Sequence, residues 1–447
     1  MSERMHTLMA VLSAVTMSLA LPAAFAQPCE PTWSGSVGVP GLNDTVWNTV
    51  VFDDGTGLAL YGGGDFTLSG DVVANRIAKW DGYAWSALGT GMNDTVYAVG
   101  YFDAGTGPVL YAGGWFTEAG GVAADYIAEW DGNTWSPVGG GTNNHVQRFL
   151  AFDDGTGSAL YVSGRFTQAG GLPASGIARW DGATWSPLGE GLSGVDNSVE
   201  ALAIYDDGTG PALYAGGYFT RAGVLEVNGI ARWDGSTWSA LGSGVDGGVW
   251  TLMVFDDGNG PALYAGGDFQ EAGGVAADYI ARWDGNAWSA VGGGVSSAVA
   301  EFAVFDDGAG PGLFAGGWFH WAYDCDGCPP KLVNHIAKWD GNAWSALGSG
   351  ADDGVYALSV FDDGIGPAVY AAGWFDAAGD RPAHHIARWG FVLGDLDCDA
   401  DVDHSDLGIL LSDWGCTGDD CPGDADGDGD TDHADLAILL AHFGFGS

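Results

Sequence analysis

The chain has 447 residues, 78 of them glycine, and a formal net charge of −45 at pH 7. This glycine content predicts frequent turns rather than long helices. Such an acidic surface repels nucleic acids and anionic membranes. Composition therefore favours a mainly all-β protein and disfavours nucleic acid partners.

The first 26 residues have the pattern of a secretory signal peptide. Arg4 precedes an apolar run over 8–21, and small residues at 24–26 precede Gln27. A membrane anchor is the weaker alternative, because the run falls short of the roughly 20 residues that a spanning helix needs. No later segment has the pattern of a membrane span. We expect cleavage after Ala26 and a secreted, extracellular protein, with the cell surface or periplasm as further options.

One unit of about 50 residues recurs along residues 27–390. The tryptophan of its Trp-Asp-Gly element occurs at Trp80, Trp130, Trp180, Trp233, Trp283, Trp339 and Trp389. A Tyr-Ala-Gly-Gly-like element lies upstream of each. In the fifth unit, turn residues separate four strand-like runs, 249–255, 262–267, 280–283 and 288–291. Four antiparallel strands per unit are the content of one propeller blade.

The two ends of the repeat region complement each other. The seventh unit stops after its third strand at Trp389, and an isolated Trp33-Ser34 precedes the first unit. An open solenoid would need capping repeats instead. We therefore predict a closed, seven-bladed β-propeller whose amino-terminal strand completes the last blade.

The order of the repeated elements, aliphatic-Tyr-x-Gly-Gly, then aliphatic-x-x-Trp-Asp-Gly, then Trp-Ser-x-Leu, resembles kelch repeats over residues 31–390. The resemblance implies a kelch-like propeller. Some kelch-like propellers are copper oxidases or lyases, but we do not find the Tyr, His and Cys constellation of those sites in this sequence. Catalytic residues are therefore unassigned, and whether the protein is an enzyme stays open.

One position between the diglycine and the following Phe changes from unit to unit. These candidate ligand-binding residues are Asp65, Trp115, Arg165, Tyr218, Asp268, Trp318 and Trp374. A second variable position begins the inner strand, at Trp47, Tyr97, Gln147, Glu200, Trp250, Ala300 and Tyr356. Aromatic rings stack on sugar faces while carboxylates and Arg bind hydroxyls. We predict an extracellular ligand such as polysaccharide, the alternative being rings that only cover the blade rim.

The six cysteines all follow residue 26 and suit disulfides in an exported protein. Local pairs are expected at Cys325–Cys328 and Cys416–Cys421. Closure of the ring would bring Cys29 and Cys398 to one edge of the disc, where they could pair. In the alternative scheme Cys398 pairs within the carboxy-terminal segment and Cys29 stays free.

Residues 391–447 form a second predicted domain with two 12-residue calcium-loop patterns. Acidic residues occupy positions 1, 3, 5, 7, 9 and 12 of each loop: Asp395, Asp397, Asp399, Asp401, Asp403, Asp406 and Asp424, Asp426, Asp428, Asp430, Asp432, Asp435. Each loop runs into an amphipathic helix, and we expect the two apolar stripes to face each other and be buried. The stripes are Leu407, Leu410, Leu411, Trp414 and Leu436, Leu439, Leu440, Phe443.

Two loop-helix repeats, each with Asp at position 12 followed by Leu, resemble type I dockerin repeats. The resemblance implies two bound calcium ions and a cohesin-like partner. In that family the partner contacts positions 10 and 11, here His404, Ser405, His433 and Ala434. The sequence thus predicts a secreted binding or scaffold protein. The alternative is a carbohydrate-active hydrolase or lyase of polysaccharide breakdown, tethered by the dockerin-like module.

Overall fold

The structure is a computed structural model that describes residues 29–37, 41–194, 196–399, 402–418, 421–425 and 430–443. The predicted signal peptide, 1–26, lies outside the described residues. Among those described, no helix is long and apolar enough to cross a membrane.

Seven four-stranded antiparallel sheets account for most of the described chain, so the protein is mainly β as predicted. The first strands are Val46–Asp53, Val96–Asp103, Val146–Asp153, Val199–Asp206, Val249–Asp256, Val299–Asp306 and Val355–Asp362. The second strands are Leu58–Gly64, Pro108–Gly114, Ser158–Gly164, Pro211–Gly217, Pro261–Gly267, Pro311–Gly317 and Pro367–Gly373. The third strands are Ile77–Trp80, Ile127–Trp130, Ile177–Trp180, Ile230–Trp233, Ile280–Trp283, Ile336–Trp339 and Ile386–Gly390. The fourth strands are Trp85–Ala87, Trp135–Pro137, Trp185–Pro187, Trp238–Ala240, Trp288–Ala290, Trp344–Ala346 and Thr32–Ser36.

The sheets close into a propeller-like ring. The first strands of consecutive sheets pack against one another, and that of the seventh sheet packs against that of the first. Within each sheet the strands follow in the order first, second, third, fourth from the centre outward. Seven innermost strands therefore surround one axis.

The amino-terminal strand completes the seventh sheet. Trp33 pairs with Trp389 across an antiparallel ladder, and their ring centroids are 5.3 Å apart. Trp33 Nε1 donates to the Leu347 carbonyl at 2.8 Å, as Trp135 Nε1 does to the Leu88 carbonyl. The predicted closure is confirmed, and the closing strand repeats a contact that the other units make.

The apolar core lies between neighbouring sheets, and the diglycines are part of it. A Cβ at Gly266 would lie 2.7 Å from Cγ1 of Val299 on the next sheet. The glycines therefore allow close approach of adjacent sheets. Buried Phe255, Tyr264 and Trp339 complete this contact between the fifth and sixth sheets.

Short hairpins on one face of the ring were not predicted. They pair Leu68–Ser69 with Val72–Val73, Glu118–Ala119 with Val122–Ala123, Gln168–Ala169 with Leu172–Pro173, Arg221–Ala222 with Leu225–Glu226, Glu271–Ala272 with Val275–Ala276, Trp321–Ala322 with Lys331–Leu332, and Ala377–Ala378 with Arg381–Pro382. In the fourth unit an extra strand, Leu192–Ser193, joins the hairpin. Strands of two residues are too short to show a periodic pattern in sequence. We call the side that carries these hairpins the loop face.

The carboxy-terminal segment contains two helices, α1 (His404–Ser412) and α2 (His433–His442). Leu410 and Leu439 are buried between them. Leu411 and Leu440, however, are 56% and 57% exposed. The expectation that the full stripes are buried is therefore wrong, because two such short helices enclose only the residues along one line of contact.

Three disulfides form, namely Cys29–Cys398, Cys325–Cys328 and Cys416–Cys421. The pairing of Cys398 within its own segment is thus wrong, and the pairing predicted from ring closure is confirmed. Two further contacts link this segment to the seventh unit: Arg381 of its short hairpin donates to the Asp399 carbonyl, and the His442 imidazole lies 3.0 Å from the carbonyl oxygen of Gly364, in the turn between the first two strands. Disulfides are compatible with an extracellular location.

Candidate functional site

A cavity of about 370 Å³ opens where the innermost strands meet on the loop face. Its lining residues are Trp47, Tyr97, Trp115, His145, Gln147, Arg148, Arg165, Glu200, Tyr218, Trp250, Ala300, Trp318 and Tyr356. All seven residues of the second variable series line this central cavity. From the first variable series, Trp115, Arg165, Tyr218 and Trp318 do so.

Three residues predicted to bind ligand do not line the central cavity. Asp65 accepts a hydrogen bond from Trp47 Nε1 at 2.7 Å, and Asp268 accepts one from the Tyr218 hydroxyl. These two carboxylates therefore orient rings that do line the cavity. Trp374 is 51% exposed and packs near His385 with centroids 5.9 Å apart.

Eight rings form one continuous series around the central cavity, which we call the aromatic wall. In order these are Trp115, His145, Tyr97, Trp47, Tyr356, Trp318, Trp250 and Tyr218. Successive centroids lie 4.3, 5.7, 5.8, 5.0, 5.0, 5.2 and 6.5 Å apart. Every one of the seven units contributes at least one ring, from its inner strand or from the loop beside it, so the wall depends on closure of the ring.

Polar contacts fix the orientation of the wall. Trp250 Nε1 donates to the Tyr218 hydroxyl oxygen at 2.9 Å, and Trp318 Nε1 donates to that of Tyr356 at 3.1 Å. Gly248 makes room for one ring, since a Cβ there would lie 2.5 Å from Tyr218 Cζ. The rings are therefore held in place before any ligand arrives.

The gap in the aromatic wall, between Tyr218 and Trp115, is filled by a charged sector. It consists of Gln147, Arg148, Arg165 and Glu200. Arg165 forms an ion pair with Asp196, and Arg148 Nη2 lies 2.8 Å from Glu301 Oε2.

The two cavity residues whose ordinary pKa lies below 7, Glu200 and His145, are both shifted towards their neutral forms. Burial raises the pKa of the Glu200 carboxyl. Burial, together with the nearby Arg165 guanidinium, lowers the pKa of His145 to about 4. His145 is therefore a neutral ring at pH 7.

Sequence reasoning did not assign His145 or Arg148 to the ligand-binding set. Arg148 directly follows Gln147, the variable position of the inner strand, and the alternation of side chains along a strand predicts that two successive residues face opposite sides. His145 immediately precedes Val146, at the start of the inner strand. The sequence shows that both residues differ from those at the equivalent positions of the other units. It does not show that both line the same cavity.

The described part of the first calcium-loop pattern brings carboxylates together. Ligand oxygens of Asp395, Asp397 and Asp399 lie within 4.8 Å of one another. Burial, followed by the neighbouring Asp399 and Asp406 carboxylates, raises the pKa of Asp397. Converging hard oxygens suit Ca²⁺. Asp401 lies outside the described residues.

The second loop has a similar cluster, formed by Asp430, Asp432 and Asp435 within the same distance limit of 4.8 Å. Asp426 and Asp428 lie outside the described residues, and Asp424 is partly buried. At position 12 of both loops the carboxylate is buried and accepts a backbone N–H of its own loop: Asp406 from Leu396 at 2.6 Å and Asp435 from Ala425 at 2.7 Å.

The predicted partner-binding positions lie at the starts of the two helices. The His404 ring packs edge-on against Phe443, and His433 packs in the same way against Trp414, each with centroids 5.0 Å apart. Ser405 and Ala434 are exposed. Each histidine is thus paired with an aromatic ring from the end of the other helix, so the two halves are related by approximate twofold symmetry.

Comparisons with known proteins find similarity to solved structures at low sequence identity. No family model matches the chain, and no curated protein matches it. The designed Ika8 protein is 13% identical with a TM-score of 0.45, covering 80% of this chain and 100% of that one. The extracellular domain of a hybrid two-component system from B. thetaiotaomicron is 12% identical with a TM-score of 0.43, covering 80% of this chain and 40% of that one. Neither similarity carries an argument about function.

Proposed function

We propose that this chain is a secreted, seven-bladed kelch-like propeller that binds an extracellular polysaccharide in its central cavity. Its dockerin-like module, residues 391–447, binds two calcium ions and docks to a cohesin-like partner. The observation that carries the ligand proposal is the aromatic wall. Fixed rings offer apolar faces to sugar C–H groups, while the charged sector offers donors and acceptors to hydroxyls.

A glycan array probed with the purified protein tests the ligand proposal. We expect binding to at least one soluble polysaccharide, and loss of that binding when Trp318 and Trp115 are both replaced by Ala. Trp374→Ala is the matched control, since Trp374 has a similar exposure but lies away from the cavity. Equal loss in the control, or no polysaccharide bound at all, would contradict the proposal.

The calcium proposal is supported by the two carboxylate clusters. In each described part, three carboxylates converge within 4.8 Å, and like charges so close repel one another unless a cation or protons compensate. Asp395, Asp397 and Asp399 would hold the first ion and Asp430, Asp432 and Asp435 the second, each with further ligands of the same loop. Calcium would supply the charge compensation that orders both loops.

The docking proposal is supported by the exposed apolar side chains of the module. Leu411 and Leu440 are more than half exposed, and Trp414 and Phe443 are 40% and 38% exposed. Such residues beside His404 and His433 fit a protein interface. Pull-down of a type I cohesin tests it: Leu411→Asp with Leu440→Asp should abolish capture in calcium, whereas Val224→Asp on the propeller should not.

An enzyme acting on polysaccharide is the alternative function. The observation that favours it is Glu200, a carboxyl in the central cavity whose pKa is raised by burial, as a general acid requires. Glu200→Gln separates the two functions. A polysaccharide-degrading activity lost in this variant, with binding retained, would establish the enzyme.

A further inference from the structure

A second cavity, of about 760 Å³, lies on the loop face between the fourth and fifth sheets. We call it the lateral groove. It shares Tyr218 with the central cavity. Asp196, the ion-pair partner of Arg165, also lines it. The lateral groove therefore begins at the junction of the aromatic wall and the charged sector.

The equivalent groove between the second and third sheets is much smaller. It has a volume of about 350 Å³ and is lined by Asp125, Tyr126, Gly140, Gly141, Thr142, Asn143, Gln168 and Gly171. None of these residues lines the central cavity. A groove at the equivalent place between two sheets is therefore not always connected to the central cavity.

The fourth unit is irregular where it borders the lateral groove. From Trp180 to Val199 there are 19 positions, against 16 from Trp233 to Val249 in the fifth unit. In the other units, a side chain such as Asn143 accepts hydrogen bonds from the two backbone N–H groups 24 and 25 positions later. In the fourth unit, Leu192–Ser193 pairs with the hairpin instead. Asp196 lies in this longer segment and lines the lateral groove.

The walls of the lateral groove suit a polar chain rather than an apolar one. Thr220, Asn228, Ser243, Asp246 and Glu271 contribute polar side chains. At Gly274 a Cβ would meet nothing within 4 Å, so the floor there is open backbone. Tyr218 supplies a ring at the inner end, where a sugar unit could stack before the chain continues outward.

We propose that the ligand is a linear polysaccharide chain that runs from the central cavity over Tyr218 and outward through the lateral groove. This inference rests on the proposed function and names the form of its ligand. The two cavities, about 370 and 760 Å³, each lie within the roughly 300–1,000 Å³ of small-ligand pockets. Several sugar units occupy them together, with the shortest oligosaccharide confined to the aromatic wall.

The test is calorimetric titration of the full chain with cello-, xylo-, manno- and galacturono-oligosaccharides, each from dimer to hexamer. In the series that binds, affinity should rise by about tenfold or more with length as units fill the groove. Ser243→Trp, which fills the groove, should remove that gain and leave the affinity for the dimer unchanged. Ser349→Trp is the matched control: both serines are exposed, and the carbonyl of each accepts a side-chain amide, from Asn228 and Asn334 respectively.

The outcomes separate this inference from the proposed function. Affinity that does not depend on length, or an equal effect of the two serine substitutions, would overturn the linear chain while leaving a sugar site in the central cavity. Absence of binding by every series and by the glycan array would overturn both. Restoration of wild-type length dependence in Ser243→Ala would show that groove volume is responsible.

Discussion

Arg148 Nη2 lies 2.8 Å from Glu301 Oε2, although the two residues are 153 positions apart. They are on the innermost strands of the third and sixth sheets, so this ion pair crosses the axis of the ring. Thr251 on the fifth sheet donates to the other Glu301 oxygen at 2.7 Å. Three of the seven sheets are thus connected beneath the aromatic wall.

Breaking this pair should destabilise the ring. Glu301→Gln leaves the partly buried Arg148 guanidinium without its countercharge, and we expect a loss of about 2 kcal/mol in the free energy of unfolding. Adding Arg148→Met should recover most of it, because no charge then remains unpaired. Denaturant unfolding of the single and double variants measures the coupling; additive losses would show that the two side chains do not interact.

A repeated ion pair is missing from the second unit. In the first, fourth, fifth, sixth and seventh units the second Asp of the Asp-Asp-Gly turn pairs with a cation next to the Trp of the third strand, as Asp54 does with Lys79 at 2.6 Å. The second unit has Ala104 and Glu129 at these positions, and burial raises the pKa of Glu129. We expect Ala104→Asp with Glu129→Arg to raise stability by about 1 kcal/mol and Ala104→Asp alone to lower it. Thermal unfolding of both variants measures these changes, and a double variant no more stable than wild type would contradict the prediction.

Gly248 is predicted to act on ligand binding through Tyr218 alone. The equivalent position is Thr45 in the first unit and Ala298 in the sixth, so the backbone there accepts a side chain. Gly248→Ala should displace the Tyr218 ring. We expect it to weaken the affinity for the hexasaccharide of the binding series by about tenfold. In a Tyr218→Ala background the same change should have no further effect; a second, equal loss there would refute this explanation.

His145 should make stability depend on pH below neutrality. The folded protein holds its pKa at about 4 against a normal 6.5, so the unfolded chain binds the proton first as the pH falls. The contribution of neutral His145 to the free energy of unfolding is therefore complete above about pH 6.5. It is lost progressively towards pH 4 and amounts to about 3 kcal/mol in total. His145→Gln should flatten this part of the stability profile relative to wild type, with Arg165, Asp196 and Glu200 unchanged in both. Parallel profiles would exclude His145 as the cause.

Calcium is expected to bind the full chain in two events resolved by calorimetry. Asp397→Asn, at position 3 of the first loop, should weaken one event and Asp435→Asn, at position 12 of the second loop, the other, because each cluster would lose one anionic ligand. Because Cys398 joins the first loop to Cys29, chelation should also lower the melting temperature of the oxidised protein more than that of the Cys29→Ser, Cys398→Ser variant. A single event unaffected by either Asp substitution would argue against the two loops.

Short-range patterns determined the fold to a large extent. The spacing of Trp-Asp-Gly and diglycine elements predicted the strands of the fifth unit to within one residue. The isolated Trp33-Ser34 before the first unit predicted the closing strand. Closure of the ring in turn predicted the Cys29–Cys398 disulfide. These features follow from sequence because each depends on a local period or on counting strands.

The tertiary structure decided which variable residues meet. Closing the ring brings one residue from each distant unit to a common axis, so Trp47 stacks on Tyr356 with centroids 5.0 Å apart and Arg148 reaches Glu301. Side chains at equivalent positions of the units are then placed differently: Tyr218 lines the central cavity, whereas Trp374 lies outside it. Sequence periodicity specifies a position within a unit, but only packing of all the sheets around one axis sets the distances between units, and with them the aromatic wall and its charged sector.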